Sequence, residues 1–166
     1  MESWPGVERV LVGLDDGVVA IGGANTVTVK LFGEQTGGVM SIIEERLDPR
    51  ILIPGHTHNN DVWLYAISGE TGVRVGDETV MAGPGTYVMK PRNVPHTIFN
   101  PTDEQSHILQ VLTPAGTEYF FMEVGEAIRA GELTDETIVE IAGRHGIVYF
   151  DDWNEELADT YNLTLL

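Results

Sequence analysis

Short β-branched and apolar runs, each cut off by a turn signal, set the tightest limit on what this chain can fold into. Residues 26–32, 39–43 and 108–112 are runs of this kind, and Gly-Asp, Gly-Gly and Pro-Gly pairs punctuate the chain from about residue 7 to about residue 122. Evenly spaced short strands indicate a sandwich or a barrel. The period changes after Glu123: residues 123–131 and 135–143 carry apolar side chains at three- and four-residue steps, and each stretch ends on glycine. That pattern predicts two short helices, with Asp135 as the N-cap of the second. Arg144, His145 and Gly146 read as a helix exit into a last extended piece at 147–150, and the acidic tail from Asp151 is expected to pack loosely. The fold class is therefore all-β with short C-terminal helices. Its expected parts are N-terminal strands packing on the barrel over 1–24, the barrel over 25–122, and a helical segment and tail over 123–166. A length of 166 residues suits one core.

Charge and cysteine content narrow the function classes. There are 26 acidic residues against 9 basic ones, so the surface is anionic and neither nucleic acid nor an anionic membrane is an expected partner. The start of the chain has no basic region followed by an apolar one, and no stretch is long enough to span a bilayer, so a cytoplasmic protein is expected. Without any cysteine, thiolate metal sites and Cys nucleophiles are excluded, and any metal must sit on nitrogen or oxygen. In the run 61–67, Trp63, Tyr65 and Ile67 alternate with Val62, Leu64 and Ala66, so neither face of that strand suits water. Either the C-terminal helices or a second copy of the chain covers its outside, and a homodimer is the expected assembly.

The residues that carry chemistry are histidines. His56 and His58 lie two apart on an extended segment and so project to one face, where they can chelate one ion. His96 follows a tight turn, Pro91 to Pro95, that delivers a third imidazole toward the barrel interior. Neutral imidazole suits Fe, Mn, Ni, Co, Cu and Zn alike, so one divalent transition metal is expected and its identity stays open. His107, at the start of an apolar strand, and His145, at a helix exit, have ordinary structural readings. Lys90 and Arg92 flank Pro91 and could attract an anion to the barrel mouth, although exposed basic residues are usually only solubilising.

Taken together these residues resemble the cupin superfamily. Gly85, Pro91, Asn93, His96 and Asn100 keep every spacing of that family's second motif, with Asn93 where the family prefers glycine. His56, His58 and Gly69 match the first motif. Asn is the residue other than glycine best able to adopt the left-handed turn that the position requires. The resemblance implies a cupin (jelly-roll) β-barrel, and its softer outer matches point toward the small bacterial quercetin-dioxygenase-like cupins. Counting back from Gly69 puts Val62 where the family's metal-binding glutamate belongs. In quercetinase-like members that carboxylate ligates the metal and acts as a base, so its loss leaves two possibilities. The site works with His56, His58 and His96 alone, or Asp61, the less favoured choice because alternation points it outward, turns in as a fourth ligand.

Strand parity places Val62, Leu64, Ala66 and Ile98 in phase with the histidines, which predicts an apolar pocket for a hydrophobic small molecule. A dioxygenase-type enzyme acting on an aromatic or diketone-like substrate is the first functional reading. A non-redox metal-dependent isomerase or cyclase is the second, and a non-enzymatic small-molecule-binding barrel the third.

Overall fold

The computed structural model describes residues 11–166; the first part of the expected N-terminal strand region, residues 1–10, lies outside the described residues. The chain forms β1 (Val18–Ile21), β2 (Asn25–Leu31), β3 (Ser41–Leu47), β4 (Ile51–Leu52), β5 (His56–Thr57) and β6 (Asp61–Ser68). It continues through β7 (Thr71–Val75), β8 (Glu78–Ala82), β9 (Tyr87–Lys90), β10 (His96–Phe99) and β11 (Ser106–Thr113). Helices α1 (Glu118–Ala130) and α2 (Asp135–Arg144) follow, then β12 (Val148–Tyr149), α3 (Asn154–Tyr161) and β13 (Thr164–Leu165).

Two sheets face each other. One has the order β1-β2-β3-β11-β6-β9; the other runs β12-β5-β10-β4-β13, with the β7-β8 hairpin also paired to β10. All pairings are antiparallel except β13 on β4. Alternation explains the core: along β3 the residues Ser41, Ile43, Glu45 and Leu47 are buried while those between them are more open, and β11 repeats the pattern with Ser106, Ile108, Gln110 and Leu112. Leu47, Leu64, Ala66, Val73, Ile98 and Ile108 fill one end of the barrel. Ala20, Val27, Val29, Ile43, Val62 and Leu112 form a second cluster, bordered by Phe121.

The turns follow from the residues that make them. Asn93 has φ 61°, the left-handed conformation expected of it, and its backbone N–H donates to the carbonyl of His58 at 2.8 Å. Gly69 has φ 70°, and a Cβ there would stand 2.7 Å from the carbonyl oxygen of Gln105. Asn100 is buried and braces the segment on either side. Its amide nitrogen donates to the carbonyls of Leu47, Asp48 and Glu104, while its oxygen accepts from Thr102.

The C-terminal part departs from expectation in three places. Helix α1 begins at Glu118, ahead of the expected start, because the buried carboxylate of Glu118 accepts hydrogen bonds from distant parts of the barrel as well as from its own turn. It takes hydrogen bonds from the backbone of Gly33 and Gly116 and from the Ser41 hydroxyl, which ties the helix start to the barrel. Thr134 rather than Asp135 caps α2, its hydroxyl accepting from the Thr137 N–H at 3.1 Å. The tail packs firmly: in α3, Leu157 is buried against Leu52 and Phe99, with Trp153 and Tyr161 beside it.

The outside of β6 is left open. Trp63 is 48% exposed and lies opposite Met89, while Tyr65 lies opposite Tyr87, which is 69% exposed. The two tyrosine rings stand 4.7 Å apart. The helices do not cover this face: α1 packs on β1 and β3, and α3 on β4 and β13. No helix among the described residues is long and apolar enough to cross a membrane.

Candidate metal centre

The first sheet contributes no histidine to the barrel interior; the second brings three together. β5 and β10 are antiparallel neighbours with His56 directly opposite His96, and His58 lies just past the end of β5. Ring centroids are 4.5 Å apart for His56 and His96 and 4.3 Å for His58 and His96. One ring nitrogen from each lies within 4.8 Å of the others.

Hydrogen bonding decides which nitrogens these are. The Nδ1 of His56 donates to the Pro54 carbonyl at 2.8 Å, that of His58 to the Asn60 carbonyl at 2.9 Å, and that of His96 to the Val94 carbonyl at 2.8 Å. A carbonyl only accepts, so each neutral ring must carry its proton on Nδ1 and its lone pair on Nε2. Burial keeps the rings neutral. It pulls His56 down to about 4 and His58 to about 3, with the Lys90 charge adding to it, and it depresses His96 further still. The Nε2 of His96 is buried and has no hydrogen-bond partner among the described residues. An orphaned buried acceptor is costly unless something binds it. Three neutral imidazoles with convergent lone pairs fit a divalent transition ion, which needs deprotonated nitrogen ligands and outer-shell hydrogen bonds to orient them.

Asp61 does not join the cluster. Its carboxylate accepts from the Arg92 backbone N–H at 2.9 Å and from the guanidinium at 2.8 and 3.2 Å, and Arg92 holds its carboxyl below the usual carboxylate range. Val62, by contrast, is buried and lines the cavity together with His56, His58 and Ile98. Leu64 and Ala66 do not line it; they pack in the filled end of the barrel. The reason is strand rise: successive inward residues on β6 step about 6.6–6.8 Å along the barrel, so only the first is level with the histidines. His107 and His145 have structural partners, Glu44 and Glu123 respectively, each at under 3 Å.

The cavity holds about 60 Å³, far below the roughly 300–1,000 Å³ of sites for drug-sized ligands. Its cap comes from the C-terminal part of the chain: Thr117, Phe120 and Phe121 at the start of α1, and Ile147 and Tyr149 around β12. β12 is laid directly beside the site, with Tyr149 opposite His56 in the β5 pairing. Burial pushes the Tyr149 phenol up to about 12, so it stays a neutral hydrogen-bond donor.

The expected all-apolar lining is corrected by a buried polar chain. Lys90, taken from the sequence as exposed, is 3% exposed and lines the cavity. Its ammonium donates to the Gln110 side-chain oxygen, and the Gln110 amide nitrogen donates to Glu45. Asn25 also lines the cavity. Burial pulls Lys90 down to about 8 while the Glu45 charge holds it up, and burial raises Glu45 against the opposing pull of Lys90. The signal for these residues lies in strand parity: Glu45 sits between Ile43 and Leu47, Gln110 between Ile108 and Leu112, each a polar residue on the buried side of its strand.

Comparisons with known proteins bear on the fold. A family model described as a cupin domain matches residues 44–112, which include all three histidines. The chain carries a cupin domain. Among solved structures, an RmlC-like cupin from Shewanella frigidimarina is similar to it with a TM-score of 0.58 at 16% identity, over 68% of this chain and 96% of that one. A double-stranded β-helix protein from Klebsiella pneumoniae gives 0.55 at 19% identity, over 66% and 93%. A polyketide cyclase from Streptomyces resistomycificus gives 0.50 at 22% identity over 54% of this chain, which spans 65% of that enzyme's length. At such identities the likeness is one of fold. No curated protein matches the chain.

In the cupin barrel, position 62 decides whether a carboxylate reaches the histidines. Val62→Glu should tighten binding of a divalent ion, on the order of tenfold or more, because an anionic oxygen joins three neutral nitrogens. Lys90, directly across from position 62 on β9, supplies a cation to the new carboxylate. Asp61→Ala should leave metal affinity unchanged. Calorimetric zinc titration of both variants checks this; loss of zinc binding in Asp61→Ala would place the fourth ligand at Asp61.

Proposed function

We propose that this protein is a metal-dependent enzyme in which His56, His58 and His96 hold one divalent transition metal. Its substrate would be a small diketone-like molecule that offers the ion two oxygens, and its reaction of the dioxygenase type. The observation that carries this reading is the set of three neutral imidazoles with their Nε2 lone pairs converging on a closed cavity and no carboxylate among them. Neutral ligands leave the full charge of a dication for the substrate, and three of them leave coordination positions open for it. When bound, the ion supplies Lewis-acid polarisation of the substrate's oxygens and, in the case of iron, one-electron chemistry with dioxygen.

The chain's own residues do the rest. The carbonyls of Pro54, Asn60 and Val94 fix the imidazole orientations, Val62 and Ile98 shape the apolar wall, and Phe120, Phe121 and Ile147 keep water out. The small cavity favours a diketone over an extended aromatic molecule, which would enter only with displacement of the α1 and β12 cap. Tyr149 holds a proton at its phenol oxygen beside His56.

A second reading, non-redox enolisation by an isomerase or cyclase, is favoured by one observation: Lys90 and Tyr149 bring proton-carrying groups to the cavity wall. Acetylacetone separates the two. Oxygen uptake by the iron-loaded protein, stoichiometric with acetylacetone and lost in His96→Ala, supports the dioxygenase reading. Deuterium exchange into acetylacetone under argon without oxygen uptake in air supports the second. Bound metal with neither reaction would leave a binding barrel and contradict both. Metal affinity in His96→Ala should fall by at least the roughly 10- to 100-fold that loss of an outer-shell partner costs.

The open apolar face of β6 and β9, with Trp63, Tyr65 and Tyr87, supports the homodimer expected from the sequence. Light scattering at micromolar concentration should give twice the 18.2 kDa chain mass; a monomeric mass would contradict it.

A further inference from the structure

A buried lysine needs a reason, since taking an ammonium out of water costs several kcal/mol unless it is paired and hydrogen-bonded. Here the compensation is incomplete. An ammonium has three donors. One goes to Gln110, and the other two have no hydrogen-bond partner among the described residues. Glu45 neutralises the charge electrostatically but through the Gln110 amide, which faces its oxygen to the lysine and its nitrogen to the carboxylate. That amide orientation suits a cation at one end of the chain and an acceptor at the other. The arrangement spans the first sheet, with Glu45 on β3, Gln110 on β11 and Lys90 on the edge strand β9. All three side chains line the same cavity as His56 and His58. Val62 lies directly opposite Lys90 in the β6–β9 pairing. The apolar side chain at 62 thus leaves the lysine with no acid across from it.

We propose that Lys90 is the oxyanion anchor of the cavity, with Gln110 and Glu45 as positioning residues that aim its ammonium, and that the substrate is a small carboxylate or enolate. One anionic oxygen binds the ammonium. The proposal rests on the three-histidine reading only for the partner of the second oxygen, which would be the metal. Glu45 keeps the empty cavity close to neutral, so the lysine stays folded inside; an arriving anion finds two unused N–H donors in a water-poor site, where a charge-assisted hydrogen bond is strong. A neutral ligand of the same shape gains little from this arrangement, so the lysine selects for charge rather than size.

Acetate and acetamide have nearly the same shape and differ in charge, and both fit the cavity. Binding of each is measured by NMR titration at pH 6, on metal-free and on zinc-loaded protein, with zinc content determined in parallel. In Lys90→Met/Glu45→Gln, which removes both charges together and so keeps the interior neutral, acetate affinity should fall about tenfold or more in the metal-free protein, the size expected for one charge-assisted hydrogen bond. Glu45→Gln alone leaves the lysine uncompensated and should tighten acetate binding. It also gives an independent readout should the double variant fold poorly. Acetamide should bind all forms alike. Equal acetate affinity in the wild type and the double variant, no acetate binding at all, or weaker binding in Glu45→Gln would overturn the assignment. Failure of the wild type to take up zinc would overturn the metal centre instead and leave the metal-free comparison to decide on Lys90.

Discussion

Three hydrogen bonds from histidine Nδ1 to backbone carbonyls are the constraint on which the site depends. Each carbonyl lies within two residues of its histidine, so each bond is set by the local chain path: Pro54 before His56, Asn60 after His58, Val94 before His96. The turn at 91–95 matters because it fixes one of those paths, and Asn93 in the left-handed conformation lets the chain reverse there while its N–H is tied to the His58 carbonyl. Barrel closure then brings the two strands into register. The result is that the tautomer of each ring is chosen by the backbone, with burial removing the protonated form as a competitor. The lone pairs face inward whether or not anything binds them, at the cost of an unpartnered Nε2 on His96.

The second sheet holds the imidazoles and the first faces them with a mixed wall. Ile43, Val62 and Leu112 are apolar, while Glu45, Gln110 and Lys90 form a linked polar path across three strands. The missing carboxylate at position 62 and the presence of this path are connected by geometry. Val62 and Lys90 are cross-strand partners, so an acid at 62 would neutralise the lysine directly. With valine there, the compensating acid is Glu45 on β3, separated from β9 by β11 and β6, and the lysine keeps donors to spare. The C-terminal segment closes the space, since Phe120, Phe121, Ile147 and Tyr149 belong to residues that follow the barrel in sequence but cap its interior.

Much of the fold was legible because it follows from periodicity. Evenly spaced short β-branched and apolar runs, each cut off by a turn signal, identify a barrel, and the spacing of His56, His58 and His96 identifies the strands that converge. What the sequence concealed has physical reasons. The helix α1 starts at Glu118 because a long-range hydrogen-bond set with Gly33 and Ser41 fixes it, and no local pattern announces such a partner. The tail helix α3 is short and acidic, and only its packing of Leu157 on Phe99 from another strand makes it part of the core. Leu64 and Ala66 share the parity of the histidines but not their level along the barrel, a distance that parity does not encode. Lys90 beside Pro91 looked like a surface residue, although its place in phase with Val88, which also borders the core, marked it as inward.

The central claim is that one divalent ion sits on the Nε2 atoms of His56, His58 and His96 with no protein carboxylate attached. Anomalous diffraction from crystals of the cobalt-loaded protein, recorded on both sides of the cobalt edge, tests it most directly. One peak per chain is expected, bonded to these three nitrogens at about 2.0–2.2 Å and otherwise to solvent or a small ligand. A peak bonded to Asp61 or Glu45, or cobalt held elsewhere with the three rings left empty, would contradict it.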